Sequence, residues 1–276
     1  MIETSTGILL AVAAIAFLAQ YTDASIGMGY GTTLTPLLVL IGFAPVDVIP
    51  AVLLGQLLGG AVGGYFHHRI GNITLDFRRD ENLPNDGRNF LLACVPRSLD
   101  SKVVLLLIAG GALGSVVGVV SALNISSTVL TIYIGAMVLC MGLLILARRN
   151  RETAFSFKRL LAVGLVSAFN KGMTGGGYGP LVTGGQILSG REIRNSVGTT
   201  TVAECAIVLI ALVAYLTLRA ELYWALVAAV TVGSIAAGPL AAVTVKKIGS
   251  VRLKLVVALA MTILGVWTLI DALLLN

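Results

Sequence analysis

Asp23 and Lys171 are ionisable side chains embedded in long apolar stretches, and each opens a glycine-rich run. The runs read Asp23-Ala-Ser-Ile-Gly-Met-Gly-Tyr-Gly31 and Lys171-Gly-Met-Thr-Gly-Gly-Gly-Tyr-Gly179. A charge at the centre of a bilayer costs about 2.5–3.5 kcal/mol on insertion scales, so it is paired, hydrated or bound to a ligand. A glycine run interrupts a helix, and a helix restarting beyond it presents free N–H groups and a positive dipole end to an anion. The chemistry on offer is reversible, non-covalent capture of a small anion. The candidate ligands are Lys171 and its neighbour Asn170, the backbone of Gly27, Gly29, Gly31, Gly175, Gly176, Gly177 and Gly179, and the hydroxyls of Thr32, Tyr30 and Tyr178. Two readings of Lys171 stand side by side: counter-charge for the anion, or partner of Asp23 in an ion pair between the runs. The tyrosines either bond the ligand or pack the tips of the breaks. The chain has no Walker A, HExxH or GxSxG motif. Its three cysteines (Cys94, Cys140, Cys205) are scattered. Neither a catalytic residue, a metal centre nor a cofactor is therefore expected.

A shift of 148 residues superposes the two runs without a gap. Gly27, Gly29, Tyr30, Gly31, Thr35, Leu40 and Gly42 fall on Gly175, Gly177, Tyr178, Gly179, Thr183, Leu188 and Gly190. In the same register Asp23 falls on Lys171 and Gln56 on Glu204. Glu204 reads either as carrier of a coupling proton or as a neutral acid bonded to a neighbouring helix. Gln56 reads as a helix–helix hydrogen bond. Thr199, Thr200 and Thr201 line a path or pack an interface, and packing is the commoner role of such threonines. Later segments match at a shift near 124, with Gly114 on Gly238 and Ser126 on Ser250. The difference is about the length of a polar segment, 69–101, that the second half lacks. The chain thus divides into a first repeat, 1–148, carrying the insertion 69–101, and a second repeat, 149–276.

Helices long enough to cross a bilayer must position these residues. Of the 276 residues 57% are hydrophobic and only 12% charged, with a mean hydropathy of +0.96, which excludes a water-soluble enzyme. Full spans of roughly 20 apolar residues are predicted near 46–68, 102–122, 127–147, 195–218, 222–245 and 251–275. Regions 7–43 and 160–190 are predicted as glycine-broken helical hairpins. The segment 69–101 reads as an extramembrane loop with room for a short surface helix. His67 and His68 end a span and diverge around the helix, Asp271 lies near the outer end of the last span, and Gly110, Gly114 and Gly118 mark a packing face. With no Lys or Arg before Arg69, no cleaved signal peptide is expected. Net charge is +6, yet 17 of the 19 basic residues fall on one side of the predicted topology. That side is cytoplasmic by the positive-inside rule, so nucleic-acid binding is not implied. Each repeat has three full spans and a hairpin that returns the chain. The second copy is then inverted, and both termini lie outside. The expected fold is an all-α polytopic membrane protein of two inverted-topology repeats, an architecture that places substrate near the midplane.

The duplicated Gly27-Met-Gly-Tyr-Gly31 and Gly175-Gly-Gly-Tyr-Gly179, each after an apolar helix, resemble the TauE/SafE family of sulfite exporters. The basic turn Arg191-Glu-Ile-Arg194 leading into Asn195-Ser-Val-Gly-Thr-Thr200 looks like that family too. The resemblance implies a multi-pass protein of the bacterial inner membrane that exports sulfite, a sulfonate or a related small organic anion. The expected function is therefore a secondary transporter working by alternating access, with a small anion and the lipid bilayer as partners. Proton coupling through Glu204 or Asp23 and a facilitated uniport both stay open, as does the oligomeric state. An anion channel with a fixed pore and a non-transporting intramembrane enzyme or assembly subunit are the alternatives.

Overall fold

Apolar periods longer than five helical turns leave this chain one economical way to satisfy its backbone, and the computed structural model shows a helical bundle. It describes residues 5–43, 45–79, 94–122, 127–147, 155–174, 178–218 and 222–274. The helices are α1 (Thr6–Ile26), α2 (Tyr30–Ile41), α3 (Pro45–Ile70), α4 (Leu99–Ala122), α5 (Ser127–Ala147), α6 (Phe157–Thr174), α7 (Tyr178–Leu188), α8 (Ile193–Leu218), α9 (Trp224–Lys247) and α10 (Ser250–Leu274). Each predicted full span corresponds to one of α3, α4, α5, α8, α9 or α10. Both predicted hairpins are helix pairs, a long helix followed by a short one (α1–α2 and α6–α7).

The glycine-rich breaks are shorter than the sequence suggests. Asp23 lies in the last turn of α1, and only Gly27, Met28 and Gly29 separate it from α2. Lys171 likewise belongs to the backbone of α6, and Tyr178 and Gly179 already open α7. One residue suffices to stop α1. Gly27 takes the left-handed conformation (φ 83°), and its N–H returns to the Asp23 carbonyl at 2.6 Å. Gly29 also has a positive φ (114°), whereas Gly31 and Gly179 sit in the first turns of α2 and α7, where packing outweighs their modest propensity penalty.

The polar insertion also differs from expectation. Strand β1 (Phe77–Arg79) pairs antiparallel with β2 (Cys94–Pro96), with Arg78 opposite Val95, so a short ribbon stands here and no surface helix is seen among the described residues. Residues 80–93 lie outside the described part of the chain.

Helices α3, α8 and α9 pack at the centre, with α1 laid along α9, α6 along α4 and α5 along α10. Small residues allow these approaches: a Cβ at Gly114 would come within 2.6 Å of the Leu165 carbonyl of α6, and Gly110 faces the same helix. Gly118 and Asp271 have side chains outside the described set. Around this centre, large apolar side chains point outward, Trp267 being 69% exposed and Leu10 68%. Apolar surface all round a helix is what lipid, not water, accommodates. Four described helices, Thr6–Ile26, Ile193–Val213, Trp224–Lys247 and Val251–Ile270, are long and apolar enough to cross a membrane.

One end of the bundle collects the basic residues. Lys246 Nζ donates to the Ile70 carbonyl (2.9 Å), Arg194 to Ile248 (3.1 Å) and Arg159 to Leu188 (3.4 Å). These bonds bring the ends of α3, α7 and α9 together with the starts of α6, α8 and α10. The β ribbon is attached at the same end, where the Asp76 N–H donates to Ser101 Oγ at 2.7 Å.

Candidate functional site

The two interrupted helices meet each other. A Cβ on Gly179, in the first turn of α7, would lie 2.6 Å from the Gly27 carbonyl oxygen. A Cβ on Gly27 would lie 2.2 Å from Thr183 Oγ1. Only glycine fits either place. The 11 residues of α7, at about 1.5 Å each, put this junction about 16 Å from the basic end. That depth is half of a hydrocarbon core of about 30 Å.

Polar groups cross the junction in a buried ladder. Thr183 Oγ1 donates to the Gly27 carbonyl (3.0 Å) and shares a hydrogen bond with Thr200 Oγ1 (3.0 Å). Gln186 Nε2 donates to Thr200 Oγ1 (2.9 Å) and to the Ser196 carbonyl (3.2 Å), while Gln186 Oε1 accepts from Thr199 (2.8 Å). The ladder ties the end of α1 to α7 and α8. Of the three adjacent threonines, Thr199 and Thr200 take part in it. Thr201 bonds its own helix, at the Val197 carbonyl (3.0 Å).

At the start of α2 the protein supplies its own anion. Asp23 Oδ1 accepts the N–H of Tyr30 at 3.2 Å, an acidic cap on a helix N-terminus. Asp23, Gln56 and Glu204 are all buried. The side chains of Lys171, Asn170 and Thr32 lie outside the described set, as do Gly175, Gly176 and Gly177. The Asp23–Lys171 pairing therefore stays an expectation. Gly29 and Gly31 flank Tyr30 in the α1–α2 turn, and nothing lies within 4 Å of a Cβ placed on Gly31.

The two tyrosines, equivalent in sequence, differ in surroundings. Tyr30 is buried with its hydroxyl 2.6 Å from Ser234 Oγ of α9. Tyr178 is fully buried, yet its hydroxyl has no partner among the described residues. A buried polar group left unpaired costs about 1–3 kcal/mol, so proteins retain one mainly where something else uses it.

Several residues in this region escape a sequence reading. His67 was placed by sequence at the surface end of a span; it is instead fully buried. Its Nε2 donates to the Ala24 carbonyl (2.9 Å) and its Nδ1 accepts from Asn72 Nδ2 (3.1 Å). Asn72 also donates to the Ala242 carbonyl (2.8 Å), which sets its amide orientation and with it the neutral His67 tautomer. His67 thus clamps the last turn of α1, beside Asp23. His68, next in sequence, is exposed. Gln186, Asn72 and Asp100 carried no sequence signal beyond being polar beside apolar residues.

With the geometry in place, comparison with known proteins supplies a lineage. A family profile described as Sulfite exporter TauE/SafE matches residues 92–268. The "Probable membrane transporter protein YtnM" of Bacillus subtilis (strain 168) is 27% identical over 253 residues, covering 87% of this chain and 75% of that protein.

Proposed function

This chain belongs to the TauE/SafE family and is a multi-pass membrane transporter rather than an enzyme, and from that premise we propose that it exports a small oxyanion, sulfite or an organosulfonate, by alternating access. The observation that carries the reading is the contact of the two helix breaks at Gly27 and Gly179, half-way across the bundle and beside the buried Asp23. Interrupted helices at membrane depth are tolerated where they line a cavity or are buried in protein, and transporters use them to hold substrate.

The two halves, 1–148 and 149–276, are inverted copies on this reading. Two features support it. The short helices α2 and α7 end alike, with Gly42 (φ 106°) and Gly190 (φ 90°) at matching positions. In both, the next N–H reaches back five residues, Phe43 to Leu38 (3.1 Å) and Arg191 to Gln186 (3.0 Å). The long helices also exchange partners in parallel, α1 packing on α9 of the other half and α6 on α4. The basic end faces the cytoplasm, both termini face outward, and the membrane is the bacterial inner one.

The asymmetry between the copies assigns Lys171. In α1 the residue three before the helix end is an acid that caps α2 from within the protein. In α6 that position holds Lys171. The start of α7 is then paired with a cation, and the balancing anion is the cargo. Tyr178, whose hydroxyl lacks a partner among the described residues, is its second donor, and Asn170, Tyr30, Thr32 and the break glycines Gly27, Gly29, Gly31, Gly175, Gly176, Gly177 and Gly179 shape the rest. Glu204 carries a coupling proton, with Asp23 and Gln56 as structural neighbours.

Flux in reconstituted liposomes tests this. Wild type should move sulfite saturably, with trans-stimulation, and Lys171→Ala should lose most of that flux. Equal flux in the variant removes Lys171 from the site. Flux without trans-stimulation makes the protein a channel. No movement of any sulfur oxyanion overturns the cargo.

A further inference from the structure

Away from the junction, the basic end of the bundle holds a cavity of about 400 Å³ whose walls include Thr74, Asp100, Phe155, Arg191, Glu192 and Asn195. Its polar wall is an anion-binding set that the protein fills with its own carboxylate. Asp100 accepts from the Thr74 N–H (2.7 Å), from Asn195 Nδ2 (3.2 Å) and from Arg191 Nη2, with which it forms an ion pair. The pair is buried, the Arg191 side chain being 4% exposed, and Arg191 Nε has no partner among the described residues.

Burying an ion pair gains little stability over well-packed apolar residues. Here the pair leaves part of a guanidinium unused. Guanidinium, amide and backbone N–H together recognise a carboxylate, and the same three recognise a sulfite or a sulfonate. The two partners are also held differently. Arg191 follows Gly190 in the capping turn of α7, locked by its N–H on Gln186. Asp100 comes from the other half of the chain, in the first turn of α4 beyond the β ribbon. The ion pair therefore bridges the seam between the halves. With Asp100 in place and Glu192 beside it, the wall repels an anion. With Asp100 displaced, the guanidinium faces the cavity.

We propose that this cavity is a loading site on the cytoplasmic face, where a sulfur oxyanion takes the place of Asp100 on Arg191 and Asn195 and so releases the seam. The proposal rests on the oxyanion-export reading above. It gives the insertion a role, since Thr74 and Asp100 lie near its two ends. It also connects loading to the junction. Asn195 donates to the Asn72 carbonyl (3.2 Å), Asn72 donates to His67, and His67 donates to the Ala24 carbonyl of α1.

The test measures half-saturating sulfite concentration separately on each face of oriented proteoliposomes holding the full chain. Arg191→Gln should raise the value on the cytoplasmic face by about tenfold to a hundredfold, the worth of a charged hydrogen bond. Asp100→Asn, which removes the competing carboxylate, should lower it there. Neither should alter the outer face. Arg191→Lys keeps the charge and controls for folding; it should lie between wild type and Arg191→Gln. Wild-type flux in the double variant Asp100→Arg with Arg191→Asp would mean that only the pair matters, and overturns the proposal. So does a sulfite-carrying wild type whose half-saturation none of these substitutions changes. A wild type that carries no sulfur oxyanion overturns the export reading as well, which separates the two failures.

Discussion

Tyr30 and Tyr178 show how far one residue's role depends on its neighbours. The hydroxyl of Tyr30 is spent on Ser234, whereas that of Tyr178 meets no protein atom it can bond among the described residues. Tyr30→Phe should therefore lower stability in detergent by about 1 kcal/mol, the net value of a buried hydrogen bond, with modest effect on flux. Tyr178→Phe should leave the melting temperature unchanged or slightly raised and weaken sulfite transport. Thermal unfolding paired with flux reads both, and the opposite pattern would exchange the assignments. Gly27→Ala is the harsher change. It places a Cβ at 2.2 Å from Thr183 Oγ1 on a residue with φ 83°. The left-handed backbone alone costs about 1–2 kcal/mol, so a loss of folded protein by size-exclusion profile is expected.

At the scale of elements, the junction is held by side chains that reach between helices. Gln186 of α7 uses both ends of its amide on α8, and Thr183 reaches α1. Gln186→Leu removes three of these bonds, although Thr199 keeps the Asn195 carbonyl as an acceptor (2.6 Å). Its expected cost is about 2–3 kcal/mol, from lost bonds plus buried unpaired groups, read as a fall in melting temperature. His67→Ala should release α1 near Asp23 at about 1–3 kcal/mol for its two buried hydrogen bonds. Helix positions were legible in the sequence because apolar length alone specifies a span. The extent of each break was not. Both Asp23 and Lys171 stand next to glycine-rich text, but whether a glycine bends the chain depends on its φ, and Gly27 turns where Gly31 does not. The β ribbon was illegible for a similar reason. Its strands are three residues each and are anchored by bonds such as Asp76 to Ser101, which join residues 25 apart.

For the whole molecule, inversion makes a prediction that no single site does. Thr6 and Phe157 begin α1 and α6, near-equivalent positions in the two halves. In a cysteine-free background, Thr6→Cys should be labelled by an impermeant maleimide from outside the cell and Phe157→Cys only after the cytoplasmic face is opened. Labelling of both from one side would leave two parallel halves and remove the inverted architecture. The basic end of the bundle, where the helix ends bearing Lys246, Arg194 and Arg159 meet, is the physical form of the charge bias in the sequence.

The sequence by itself determined the membrane class, the number and place of the long helices, the two glycine-broken hairpins and the family, because hydropathy, glycine and motif spacing act locally and are written residue by residue. It also singled out Asp23, Gln56 and Glu204, since polar groups in apolar text stand out against the cost of burial. Only the tertiary structure decided what they touch. Asp23 caps α2, His67 clamps α1, Gln186 bridges α7 to α8, and Asp100 crosses 91 residues to meet Arg191. Each of these pairings depends on which helices come to lie side by side, and a single sequence records no distance between residues far apart along it.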